Sequence, residues 1–185
     1  MVETSERQFS SKPGTLEGID PKHLQRYEWA QCFTRGRTVY DIACGTGYGS
    51  LLLQAEKLVG FDSSRETVEY ANKYHGELAQ FVVADACKMP NLPKAEIIVS
   101  FETIEHLEKP EAFLQWCSEH CELLLVSSPI SGSFKRSRWH LFEYSLEEFR
   151  SVLQKYFSHQ VLFVQRDGLI SYPGEGLGVA IGVCW

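Results

Sequence analysis

The stretch "SFETIEHLEKP" holds Glu102, Glu105 and His106 close together, and "SRWHLFEYSLEEF" adds His140. If a helical turn follows Phe101, residues 102, 105 and 106 lie at i, i+3 and i+4, on one face. Two carboxylates and an imidazole at that spacing suit one divalent ion, with positions left open for substrate oxygens. The plainer reading is a solvated acidic turn in which Glu105 interacts with His106 or a neighbour. His140 has alternatives too: a further ligand, a general base, or a loop residue packed on Trp139. Either histidine fits a reaction at a hydroxyl, a weak nucleophile until a base draws off its proton or a metal lowers its pKa. His106 and His140 are the catalytic candidates. Glu102, Glu105, His106 and His140 are the candidate metal ligands.

A second group surrounds "VYDIACGTGYGS", an apolar run with one acid, followed by three glycines at alternate positions. A glycine loop between strand and helix lets the backbone approach a ligand and aims free N–H groups at it. The dinucleotide fingerprint is G-x-G-x-x-G with an acid about 20 residues on, and Gly45-Thr46-Gly47-Tyr48-Gly49 does not fit it. Asp41, at the strand end, would repel a pyrophosphate but suits the ammonium of an amino acid. Asp62 follows Gly47 by 15 residues and is placed to accept both hydroxyls of a ribose. Asp85, in "ADAC", is placed to take the amino group of an adenine. Taken singly, a glycine turn is only a turn, and such aspartates are helix caps or turn residues. Taken together, the three acids match an amino acid, a ribose and an adenine, the parts of S-adenosylmethionine.

These residues need a scaffold. Strand-like runs at 38–43, 57–62, 79–85, 95–101, 121–128, 159–166 and 178–185 alternate with helical patterns at 21–33, 48–55, 64–75, 110–120 and 145–157. Ser145 stands three residues before Glu148, a capping box. This alternation predicts a doubly wound α/β fold with a mostly parallel, seven-stranded, Rossmann-like sheet. The last two strands, joined by the turn-rich link 167–176, are expected to pair antiparallel. Ligands in such sheets bind at the carboxyl ends of the strands, where strand order reverses. All the candidate residues fall at such ends.

Over residues 23–185 the sequence resembles the class I S-adenosylmethionine-dependent methyltransferases. Asp41, Ala43, Gly45 and Gly47 match the family's acid and three alternating small residues, with Ala43 in place of the first glycine. The resemblance implies that Asp62 and Ser63 hold the ribose and that Asp85 and Ala86 hold the adenine. Phe101 would line the cofactor near its sulfonium. Tyr48 belongs to the same loop, and Tyr27 is the expected contact from an N-terminal helix folded over the cofactor. The E-x-x-E-H pattern with a later histidine resembles the small-RNA 3′-terminal 2′-O-methyltransferases, where such residues bind a divalent metal. Ubiquinone-type O-methyltransferases and bacterial methyltransferases of glycan and natural-product clusters match "WHLFEYSLEEF" equally well.

Composition narrows the partners. With 185 residues, 44% hydrophobic and 23% charged, the chain reads as one globular domain, 21–185, behind a mobile leader, 1–20. No apolar run reaches the roughly 18 residues of a membrane span, and no signal peptide opens the chain, so a cytoplasmic protein is expected. The six scattered cysteines read as reduced core residues, with no zinc-knuckle pairing. A net charge of −6 argues against a broad phosphate-binding face, although "FKRSR" forms one basic cluster. The expected acceptor is therefore a sugar or other small hydroxylated molecule. The rivals are a metal-dependent RNA 2′-O-methyltransferase and a non-catalytic cofactor-binding partner; the sequence leaves oligomeric state open.

Overall fold

The computed structural model describes residues 7–134, 137–172 and 176–185. Its strands are β1 (Thr38–Ile42), β2 (Lys57–Asp62), β3 (Gln80–Val83), β4 (Ala95–Ser100), β5 (Cys121–Pro129), β6 (Gln160–Arg166), β7 (Leu169–Ser171) and β8 (Val179–Cys184). Four helices, α1 (Pro21–Thr34), α2 (Arg65–His75), α3 (Pro110–His120) and α4 (Leu146–Gln154), complete it. The sheet runs β3-β2-β1-β4-β5-β8-β6-β7, parallel through β5 and antiparallel beyond it. Strand order reverses between β1 and β4, which opens a crevice at their carboxyl ends.

Both sheet faces are covered, which is why the central strands read as near-continuous apolar runs. Neighbouring residues point to opposite sides. Ile98 and Leu124 face Phe113, Leu114 and Leu153, while Ile97 and Leu125 face Ala30, Leu53 and Ile181. The helices start where local chemistry predicts. Asp20 accepts from Lys22 N ahead of Pro21, Ser64 caps α2, and Ser145 and Glu148 form a complete capping box on α4.

Three expectations change. The helix expected at 48–55 is a single 3-10 turn, Tyr48–Leu51. Side chains of α1 divert the carbonyls that would continue it: Gln31 donates to Leu52 O and Thr34 to Leu53 O. Gln54 then turns left-handed at φ 48°. The sheet has eight strands, not seven, because the link 167–176 contains β7. Asp167 and Gly168, at φ 50° and 77°, make a two-residue hairpin that returns the chain against β6. The third concerns the expected leader, of which residues 1–6 lie outside the described residues. Beyond them, residues 7–20 are fastened to the body, with Thr46 donating to Gln8 O at 2.8 Å and Phe9 meeting Tyr70 edge-on.

Candidate functional site

The ends of β1, β2, β3 and β4 surround a cavity of about 880 Å³, the size of a small-molecule site. Tyr27, Ala43, Gly45, Tyr48, Asp62, Ser63, Asp85, Ala86 and Phe101 all line it. Asp41 and Gly47 stand behind the wall. Ala43, Gly45 and Gly47 take left-handed backbone at φ 61°, 56° and 79°, so the loop folds tightly between β1 and the 3-10 turn.

Gly47 serves packing, since a Cβ there would sit 2.8 Å from the Phe81 ring and 2.9 Å from Ala71 Cβ. Asp41 is buried, and the Tyr27 hydroxyl donates to its carboxylate oxygens at 3.2 Å. Burial pushes Asp41 up to about 8; the Tyr27 bond opposes this and the Asp62 charge reinforces it. Tyr27 also meets Tyr48 and Phe101 edge-on, at 5.5 and 5.2 Å between ring centres. The result is an aromatic corner beside the glycine loop.

Asp62 is the most heavily bonded acid of the site. Its Oδ2 accepts from Gly45 N at 3.0 Å, and its Oδ1 accepts from Ser64 N at 2.8 Å. Asp85 caps the short turn Ala86–Lys88, accepting from Cys87 N at 2.9 Å, and pairs with Lys88 at 3.3 Å. A capping role and a ligand-facing position thus coexist in one residue.

Three of the four candidate metal ligands come together. Glu105, His106 and His140 each offer an atom within 4.8 Å of the others, and the two imidazoles meet edge-on at 4.8 Å. Glu105 is 1% exposed, and among the described residues its carboxylate makes no close hydrogen bond, although the Ser128 hydroxyl acts on it. Burial, and then the nearby Glu102 charge, push its pKa up. Trp139 O lies 3.1 Å from His106 Nδ1. A carbonyl can only accept, so Nδ1 carries a proton, and Nε2 lies 3.9 Å from Glu105 Oε1. The loop bearing His140 is tied to the turn bearing Glu105: Leu141 N and Phe142 N both donate to Glu105 O, at 2.8 and 3.1 Å.

Glu102 does not join this group. The expected helical turn is a 3-10 turn, Ile104–His106, and Glu102 precedes it at φ 52°. Its carboxylate faces Arg26 Nη2 at 3.6 Å instead. Of the basic cluster "FKRSR", Lys135 and Arg136 lie outside the described residues, while Arg138 stacks over the Trp139 ring at 4.7 Å.

Four residues at the site had gone unnoticed in the sequence. Arg7, Gln8 and His23 line the cavity, and Arg26 is 1% exposed behind Glu102. Burial, helped by the Arg26 charge, pulls His23 down to about 4, so it is neutral at pH 7. The buried set Arg26, Tyr27, Ala30 and Thr34 follows helical spacing, which was the available signal for Arg26. No pattern in the sequence marks Arg7.

Known proteins resemble this arrangement. Residues 39–122 match a family described as a methyltransferase domain. A probable S-adenosylmethionine-dependent methyltransferase of Mycolicibacterium smegmatis is 28% identical over 160 residues, which cover 77% of this chain and 58% of that protein. The chain thus spans little more than half of that relative's length. The methyltransferase partner in a Haloferax volcanii complex with the Trm112 methyltransferase activator has the same fold, with a TM-score of 0.71 at 17% identity over 90% of each chain. Magnesium protoporphyrin IX methyltransferase of Synechocystis, with bound S-adenosylhomocysteine, has a TM-score of 0.65 at 18% identity, over 89% of this chain and 84% of that one. Over residues 39–122 the chain is thus similar in sequence to methyltransferase domains, and it shares its fold with these methyltransferase structures. No helix among the described residues is long and apolar enough to cross a membrane.

Proposed function

We propose that this domain transfers the methyl group of S-adenosylmethionine to a hydroxyl of a sugar or other small molecule. One observation carries the reading. A single cavity is lined by the glycine loop, Asp62 and Asp85 together with His106 and Trp139, so cofactor and acceptor would share one open-mouthed space. In this reading Asp62 takes the ribose, Asp85 and Ala86 the adenine, and Asp41 stands nearest the ammonium. The rings of Tyr27 and Phe101 face the sulfonium, whose positive charge an aromatic face attracts.

The acceptor oxygen would form its bond to the methyl carbon as the carbon–sulfur bond breaks. The electron pair stays on sulfur, leaving S-adenosylhomocysteine. Alignment of the two reactants supplies most of the rate. The hydroxyl proton must also leave, and His106, a cavity-lining imidazole oriented by Trp139 O, is the base we assign to receive it. Glu105, His106 and His140 also fit a divalent cation, because Glu105 presents a buried carboxylate with no close hydrogen bond among the described residues and Trp139 O orients the His106 ring. A cation held there would lower the pKa of the acceptor hydroxyl. Glu102 stands outside that set.

The test is methyl transfer from labelled S-adenosylmethionine to a panel of free sugars, glycosides and hydroxylated metabolites, with and without Mn²⁺. Turnover on such an acceptor supports the reading. Turnover confined to an RNA with a free terminal ribose, lost when both ribose hydroxyls are removed, would replace it with the RNA alternative. Cofactor binding without turnover on any acceptor would leave a binding partner.

A further inference from the structure

Asp62, the carboxylate given to the cofactor ribose in the reading above, is already occupied. Arg7 Nε and Nη2 both donate to its Oδ1, at 3.0 and 2.8 Å, and Nη2 also donates to Ser63 Oγ at 3.0 Å. Ser64 N and Thr67 Oγ1 share the same oxygen at 2.8 and 3.3 Å, and Gly45 N holds the other at 3.0 Å. A carboxylate oxygen offers about two acceptor sites, so Oδ1 is filled while Oδ2 keeps one, too few for two ribose hydroxyls unless a donor leaves Oδ1. Three of its donors belong to the structure around it: Gly45, Ser64 and Thr67 are fixed by the loop after β1 and the start of α2. Arg7 alone reaches it from a distant segment, 55 residues away in sequence.

That segment is anchored on both sides of the cavity mouth. Gln8 O accepts from Thr46 in the glycine loop, Phe9 packs edge-on against Tyr70 at 5.3 Å, and Ser10 bonds the Tyr70 hydroxyl at 3.0 Å. Arg7 and Gln8 are themselves cavity-lining residues.

We infer that residues 7–10 are a latch across the ribose end of the cofactor cavity, pinned by Arg7 on Asp62, and that the cofactor must displace Arg7 to bind. The inference rests on the cofactor reading of the site. The guanidinium and the ribose diol compete for one carboxylate, so only the fraction of molecules with Arg7 released binds at full strength. The pin is a charge pair with Arg7 partly exposed, so salt weakens it.

The experiment pairs calorimetric titration of S-adenosylhomocysteine with amide hydrogen exchange on the full chain. Arg7→Ala should tighten binding by about tenfold or more, the factor expected when a charge-assisted competitor is removed. Phe9→Ala, which loosens the same segment without touching the cavity, should tighten it in the same direction. In the wild type, ligand should protect residues 43–47 while raising exchange at residues 8–10. Protection at 43–47 with residues 8–10 unchanged, or weaker binding by Arg7→Ala, would overturn the latch and leave the cofactor site standing. No protection anywhere would bring down the cofactor site, and the latch with it.

Discussion

Gly45 and Gly47 lie two residues apart in one loop, and alanine at each should fail in a different way. At Gly47 the backbone is left-handed at φ 79°, and a new Cβ would lie 2.8 Å from Phe81 and 2.9 Å from Ala71. The left-handed conformation costs a non-glycine residue about 1–2 kcal/mol, and overpacking costs about 1–3 kcal/mol more. Together Gly47→Ala should lose about 2–5 kcal/mol of a total that is ordinarily about 5–15 kcal/mol. In a domain of this size the melting temperature should fall by about 4–20 °C. At Gly45 the backbone is also left-handed, at φ 56°, but the new Cβ meets nothing within 4 Å, because it enters the cavity. Gly45→Ala should lose only the conformational term, about 1–2 kcal/mol, yet weaken S-adenosylhomocysteine binding by about tenfold or more through overpacking against the ligand. Thermal unfolding by circular dichroism and calorimetric titration on the same preparations separate the two effects. A Gly47→Ala protein that melts like the wild type, or a Gly45→Ala protein that binds like it, would refute this division of labour.

Other substitutions test the remaining assignments. In an Arg7→Ala background, where no guanidinium competes, Asp62→Ala should cost S-adenosylhomocysteine binding about 1.5–3 kcal/mol, the worth of hydrogen bonds to a charged group, and unchanged affinity removes Asp62 from the ribose. Glu105→Gln should abolish the calorimetric signal of Mn²⁺ titration while leaving S-adenosylhomocysteine binding intact; a retained Mn²⁺ site sinks the three-residue centre. Asp41 ionises near 3.8 in the unfolded chain and keeps its proton to about 8 in the folded one, so the folded state binds the extra proton in between. Stability from this residue therefore declines as pH rises from 3.8 to about 8, and Asp41→Asn should flatten that decline in denaturant titrations. An equally steep decline in the variant assigns the slope to another group.

Much of this site was legible because its signals are local. Strand runs, the small-residue loop and the strand-end acids each report on a few consecutive residues, and the structure places them around one cavity. Glu102 was misplaced because the sequence spacing assumes a helix, whereas its left-handed backbone turns the carboxylate toward Arg26. The turn at residues 48–51 was overextended because nothing local reveals that Gln31 and Thr34, a helix away, take its next carbonyls. Strand β7 was missed although Asp167-Gly168 is a hairpin signal, because the three residues it returns are too few to show alternation. Arg7 was invisible for the strongest reason: its partner is 55 residues distant, and no periodicity connects them.

The two hydrogen bonds that Glu105 O accepts from Leu141 and Phe142 separate what can vary from what cannot. They clamp the chain just after His140, and Ser131 N, donating to Tyr144 O at 2.7 Å, ties the start of the same loop, so that histidine is set relative to Glu105 and His106 by bonds close to it. On the proposed function, acceptor scope and reaction chemistry would then be separately adjustable, an arrangement that suits diversification by insertion. Lengthening the chain at residues 131–134 should shift which acceptors are methylated while the Mn²⁺ affinity stays constant. Shifting the register of Leu141 and Phe142 by one residue should cost both.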